Sequence, residues 1–131
     1  MKKMYILSLL LLWNVTWTVC AQSDYTPPQF TQQTDANFRL YPTRNNYNFI
    51  RLDTRTGQMD MVQWSTSGKE GTYSLSSEKR VYSAEEELPG RFTLYATTNF
   101  YNFILLDQID GRVWQVQWSF DEENRFVTRI W

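Results

Sequence analysis

The sequence predicts an all-β fold in which two pseudo-symmetric, four-stranded antiparallel meanders form one small barrel or sandwich. Three observations predict it. Residues 38–65 align without a gap to residues 92–119 with 16 identities in 28 positions, so the chain carries one unit twice, 54 residues apart. Within each copy the apolar residues recur with period two, which marks strands rather than helices. An Asp-to-Gly turn signal stands at the same place in both copies, Asp53 to Gly57 and Asp107 to Gly111.

Ahead of the copies, residues 1–21 read as a secretory signal: Lys2 and Lys3 form the positive start, Ile6 to Trp13 the apolar stretch, and Val19-Cys20-Ala21 the small-residue cleavage site. A transmembrane anchor fits less well, because Asn14, Thr16 and Thr18 interrupt the run short of the roughly 20 apolar residues a span needs. Lipid anchoring through Cys20 also fits less well, since Val19 stands where a lipoprotein signal places a small residue. The expected location is therefore exported, periplasmic or extracellular. Residues 22–37, with Pro27-Pro28 and no periodicity, read as a tether.

The first strand of each copy is expected at 38–43 and 92–97, and the second at 47–53 and 101–107. A third follows at 58–65 and 112–120. Asp53 and Asp107 lead their turns because a short carboxylate accepts amides two residues on, and Gly57 and Gly111 close them because glycine tolerates positive φ. Weaker fourth strands are expected at 72–81 and 125–130. The first repeat then spans 38–82 and the second 92–131, joined by a linker at 83–91. There Ser83 and Glu86 have capping-box spacing, while Pro89 limits any helix to about one turn.

Composition narrows function by exclusion. The chain has no His and a single Cys, which removes Ser/His, Cys/His and His-zinc chemistry and any disulfide framework. Beyond residue 21 the formal charge is −3, from 11 basic and 14 acidic groups, which argues against nucleic acid as a partner. No Gly-rich phosphate loop or nucleophile elbow is present. The carboxylates all fall in expected turns or at strand ends, so a glycan- or wall-cleaving pair is the least favoured reading. The run Asp121-Glu122-Glu123-Asn124 lacks the alternation of a calcium loop. No metal site and no cofactor are expected.

The aromatic residues beyond the leader, at roughly 200 Å² each, carry a large share of the apolar area a domain of this size must bury. Most are therefore expected in the core, with Trp64 and Trp118 at its centre. The polar identities between the copies, such as Asn45/Asn99 and Tyr47/Tyr101, are expected to shape turns rather than bind ligands. On the second strands, Asn48, Ile50 and Leu52 with Asn102, Ile104 and Leu106 are expected to face the core. The opposite face differs between copies: Phe49 and Arg51 in one, Phe103 and Leu105 in the other. From this asymmetry, Phe103, Leu105 and Phe100 are expected to form an exposed apolar patch for a protein partner or a second copy, with Arg39 and Arg51 meeting an anionic group.

The hairpin Leu52 to Trp64, L-D-T-R-T-G-x-x-x-x-V-Q-W, resembles the blade repeat of quinoprotein-type β-propellers over about 13 residues. The whole repeat, F-x-L-Y-P-T-x-N-x-Y-N-F-I-x-L-D-T-R-T-G-x-x-x-x-V-Q-W-S, resembles small exported tandem-repeat proteins of Bacteroides-type gut bacteria, and a leader ending in Ala-Gln fits that group. The resemblance implies export and β architecture, and nothing about activity. The expected function is that of an exported, non-catalytic binding or protein-interaction module, self-association included. The alternative is a glycan-contacting protein using surface aromatics and amides.

Overall fold

The computed structural model describes residues 35–131. The leader at 1–21 and nearly all of the tether at 22–37 lie outside the described residues. Each copy of the repeat becomes one open four-stranded antiparallel meander. Sheet A comprises β1 (Phe38–Pro42), β2 (Asn48–Asp53), β3 (Met59–Gln63) and β4 (Gly71–Ser76). Sheet B comprises β5 (Phe92–Ala96), β6 (Asn102–Asp107), β7 (Val113–Gln117) and β8 (Phe126–Ile130). The sheets share no strand pairing and do not close into a barrel; they pack face against face, as in a sandwich.

The turns explain why the strands stop where they do. Asp53 accepts the Gly57 amide on its carbonyl at 2.9 Å and the Arg55 amide on its carboxylate at 3.0 Å, and Gly57 takes φ +79°. Asp107 repeats this with the amides of Gly111 and Ile109, each at 2.9 Å. These are the type I turns with a trailing left-handed glycine that the spacing predicts. At the opposite end, the Asn45 and Asn99 side chains accept the amides of Tyr47 and Tyr101, each at 2.9 Å. Thr43 and Thr97 donate to the carbonyls of Asn48 and Asn102. Asn45, Asn99, Thr43 and Thr97 therefore hold these loops.

Between the sheets the linker makes one short 3-10 turn, Ala84–Glu86. Its expected capping box is not formed: the Ser83 side chain makes no cap hydrogen bond, and the Glu86 carboxylate accepts the Tyr82 amide instead. A second such turn, Glu122–Asn124, occupies the acidic run before β8.

The core departs from expectation in one decisive respect. Sheet A buries Ile50, Leu52, Met59, Met61 and Leu75, the face expected for β2. Sheet B buries Phe92, Leu94, Phe103, Leu105, Trp114, Val116 and Trp118, which is the other face of the repeat. Because strand side chains alternate, register fixes this: Arg51 pairs with Asp60 as Leu105 pairs with Trp114, on the side opposite Ile50 and Ile104. The two halves thus stack front to back. Ile104 and Leu106, expected in the core, are only half-buried on the outside of sheet B.

Candidate functional site

Among the described residues, front-to-back stacking leaves one face of each sheet without another sheet over it. On sheet A the outer face carries Phe38, Leu40 and Pro42 from β1, Phe49, Arg51 and Asp53 from β2, and Asp60 and Val62 from β3, as the paired registers dictate. Phe38 and Leu40 are 54% and 50% exposed. Their counterparts 54 residues on, Phe92 and Leu94, are 0% and 5% exposed against sheet A. The same side chains that sheet B uses for packing are therefore open to solvent on sheet A.

The structure redistributes the expected site residues. Phe103 and Leu105 are buried between the sheets, so the apolar patch expected there does not exist. Arg51 replaces Leu105 because its face is wet rather than packed. Phe100 sits in the loop before β6 and packs on Tyr101 and Trp118, with ring centroids 4.8 and 5.6 Å away. Arg39 and Arg51 do not converge on one anion: Arg39 lies across from Leu52 on the inward side of β1, whereas Arg51 points outward beside Leu40. Trp64, expected at the core centre, stands outside it, stacked on Tyr47 at 4.9 Å; Trp118 is fully buried.

Electrostatics on the outer face of sheet A are closed within the sheet. Arg51 bonds Asp60 at 2.6 Å, and Arg55 grips Asp53 through two bonds of 3.0 and 2.8 Å while lying over the Phe38 ring. Beside them is a shallow, open depression of about 200 Å³ lined by Phe38, Arg51, Asp53, Asp60 and Ser74. Both carboxylates there are held by arginines. A second open groove, about 390 Å³, runs along β4 past Arg80, Glu122 and Arg125. Among the described residues no group of three or more acidic, Cys or His side chains is placed to hold a metal ion, and no helix is long and apolar enough to cross a membrane.

The most heavily buried charges are structural. Asp107 is fully buried and accepts Arg91 Nε at 3.1 and 3.0 Å and Arg112 Nη2 at 3.1 Å. Burial alone would push its carboxyl up. The Arg91 bond and the amides of Ile109 and Asp110 outweigh this and hold it below the ordinary carboxylate value. Arg80 packs under the first hairpin, donating to the Gly57 carbonyl at 2.9 Å and to Ser76 at 2.8 Å, and its burial lowers its pKa from the usual guanidinium value. These groups lock the linker to both hairpin turns.

Sequence reasoning missed Phe38, Leu40 and Val62 as surface residues. The available signal was parity: they share a face with Phe49 and Arg51, and Arg51 marks that face as solvated. On the outer face of sheet B lie Tyr95, Ile104, Leu106, Val113 and Ile130 beside the amide ladder of Asn102, Gln115 and Gln117. Comparison with protein-family models, curated proteins and solved structures finds no match to this chain.

Proposed function

We propose that the protein is an exported, non-catalytic interaction module that docks a protein partner on the uncovered face of sheet A. One observation carries this reading: Phe38, Leu40, Phe49 and Val62 share an outward apolar face, and their counterparts in sheet B, Phe92, Leu94, Phe103 and Val116, are buried in the core between the sheets. Soluble domains rarely leave such a face without a partner. The Arg51–Asp60 pair lies on the two central strands beside these residues and the Arg55–Asp53 pair at the hairpin end of the same face, where exposed ion pairs add register more than affinity. Export rests on the sequence of residues 1–21.

A photo-crosslinking residue at Leu40 tests this. Protein adducts at Leu40 but not at Glu70, on the far loop, are the expected result; equal labelling at both positions overturns it. The rival glycan reading draws on the exposed Tyr47–Trp64 ring pair. Its indole donor is already taken by the Asn46 carbonyl at 2.8 Å and the Asn45 side chain by the Tyr47 amide. Loss of polysaccharide retention in Trp64→Ala, with Leu40 crosslinks absent, is the result that would favour it.

A further inference from the structure

We propose that the partner is a second copy of this chain, docked head to tail, with the outer face of sheet A of one copy stacked on the outer face of sheet B of the next. The inference rests on the docking-face reading above and names its occupant.

The argument begins with the junction already present inside the chain. It joins the Ile50/Leu52 face of one repeat to the Phe103/Leu105 face of the other. β4 lies against its own counterpart β8, and β2 against β5, as expected when a repeat is carried forward rather than flipped. Such an interface is heterologous: it uses two different surfaces, and each unit presents one of each. Two repeats satisfy one junction and leave one surface of each kind open.

The open surfaces are a matched pair. Sheet A offers outward Phe38, Leu40 and Val62, counterparts of the Phe92, Leu94 and Val116 that make the internal junction. Sheet B offers outward Ile104, Leu106 and Val113, counterparts of the buried Ile50, Leu52 and Met59. Tyr95, 55% exposed, is the counterpart of Tyr41, whose hydroxyl bonds Thr93 across the junction at 3.1 Å.

Polar changes also fall on both sides together. Arg51 and Asp60 replace Leu105 and Trp114 on the outer face of sheet A, and Gln115 replaces Met61 on the outer face of sheet B. Each open face therefore carries polar residues at positions that are apolar in the internal junction.

The hairpin glycines agree. A Cβ on Gly57 would meet the Phe92 ring at 3.3 Å, because β5 covers that turn; at Gly111 nothing lies within 4 Å. Carried forward by the same step, the Phe38 ring of the next copy takes the place over Gly111 that Phe92 takes over Gly57. Association closes into a ring if the step between consecutive sheets divides a full turn, and otherwise extends as a stack.

The test uses the chain as the cell produces it, with Leu40→Glu on one surface and Tyr95→Glu on the other, both exposed positions whose folding is checked by circular dichroism. Light scattering on a sizing column is expected to give an assembly larger than one chain for the wild type. Each variant alone should lose that assembly, and their equimolar mixture should recover a 1:1 dimer, because one intact surface of each kind remains. A wild type that stays monomeric to millimolar concentration overturns the proposal. So does a Leu40→Glu variant that dissociates while Tyr95→Glu does not, which would mean a face pairing with itself. If the wild type is monomeric but crosslinks another protein at Leu40, the docking face stands and the second copy falls.

Discussion

Trp64 and Trp118 occupy the same position in the two repeats, donate the same indole hydrogen bond to the carbonyl 18 residues upstream, and stack on the same tyrosine, yet Trp64 is 45% exposed and Trp118 0%. Local geometry is copied between the repeats. Burial is not: Trp118 belongs to the core between the sheets and is flanked by the rings of Phe100 and Phe120, where the first copy has Asn46 and Thr66.

Truncating these residues in the dissociated Leu40→Glu background should expose the difference directly. Trp118→Ala is expected to cost about 3–5 kcal/mol, the range for removing a large buried aromatic, and Trp64→Ala about 1 kcal/mol. Urea unfolding of the two variants checks it. Near-equal losses would mean that both indoles are equally covered in solution.

The buried carboxylate predicts an acid limb in stability. Asp107 is held below its ordinary value in the folded chain, so its stabilisation is complete above the unfolded carboxylate pKa of about 3.9 and is lost as pH falls from there through the folded value. Asp107→Asn leaves the buried Arg91 with only the more distant carboxylates of Asp110 and Glu86, at 3.5 and 3.7 Å, and should cost about 3 kcal/mol at neutral pH, with a shallower fall in acid. Asp53→Asn, at the equivalent turn but paired with the more exposed Arg55, should cost about 1 kcal/mol. Denaturation midpoints of the three proteins between neutral pH and pH 3 decide the matter.

A buried amide offers a stabilising change. Asn48 is fully buried, and neither polar atom of its side-chain amide has a hydrogen-bond partner among the described residues. Its counterpart Asn102 accepts Gln115 at 2.8 Å and donates to Asn99 at 2.9 Å; in the first copy Met61 stands where Gln115 would. Asn48→Leu should therefore raise stability by about 1 kcal/mol by removing a polar group that water solvates better, and Asn102→Leu should lower it by a similar amount. Thermal melts of both variants give the sign.

In the dissociated Leu40→Glu background, the two hairpin glycines should respond unequally to alanine. Both have positive φ, +79° at Gly57 and +78° at Gly111, so each substitution carries about 1 kcal/mol of backbone strain. At Gly57 the new methyl also meets Arg80 Cδ at 3.1 Å and the Phe92 ring at 3.3 Å, which adds about 1–2 kcal/mol of overpacking. A loss at Gly111→Ala as large as that at Gly57→Ala would show that the second turn is covered as well.

Much of this fold was legible in the amino-acid order. The 54-residue repeat, the alternation along Tyr47 to Asp53, and the Asp-to-Gly turns determined eight antiparallel strands and their meander pairing, because those features act within a few residues or between adjacent strands. They also determined that Asn45, Asn99, Asp53 and Asp107 hold turns. What they left open is which side of each sheet is covered. Both sides of the repeat are apolar enough to pack, Ile50 and Leu52 on one and Phe103 and Leu105 on the other, and period-two alternation is blind to which of them meets a neighbour. Only the tertiary structure decided that the second repeat is carried forward rather than flipped, which buries Leu105, exposes Leu40 and Trp64, and leaves one sheet face open at each end.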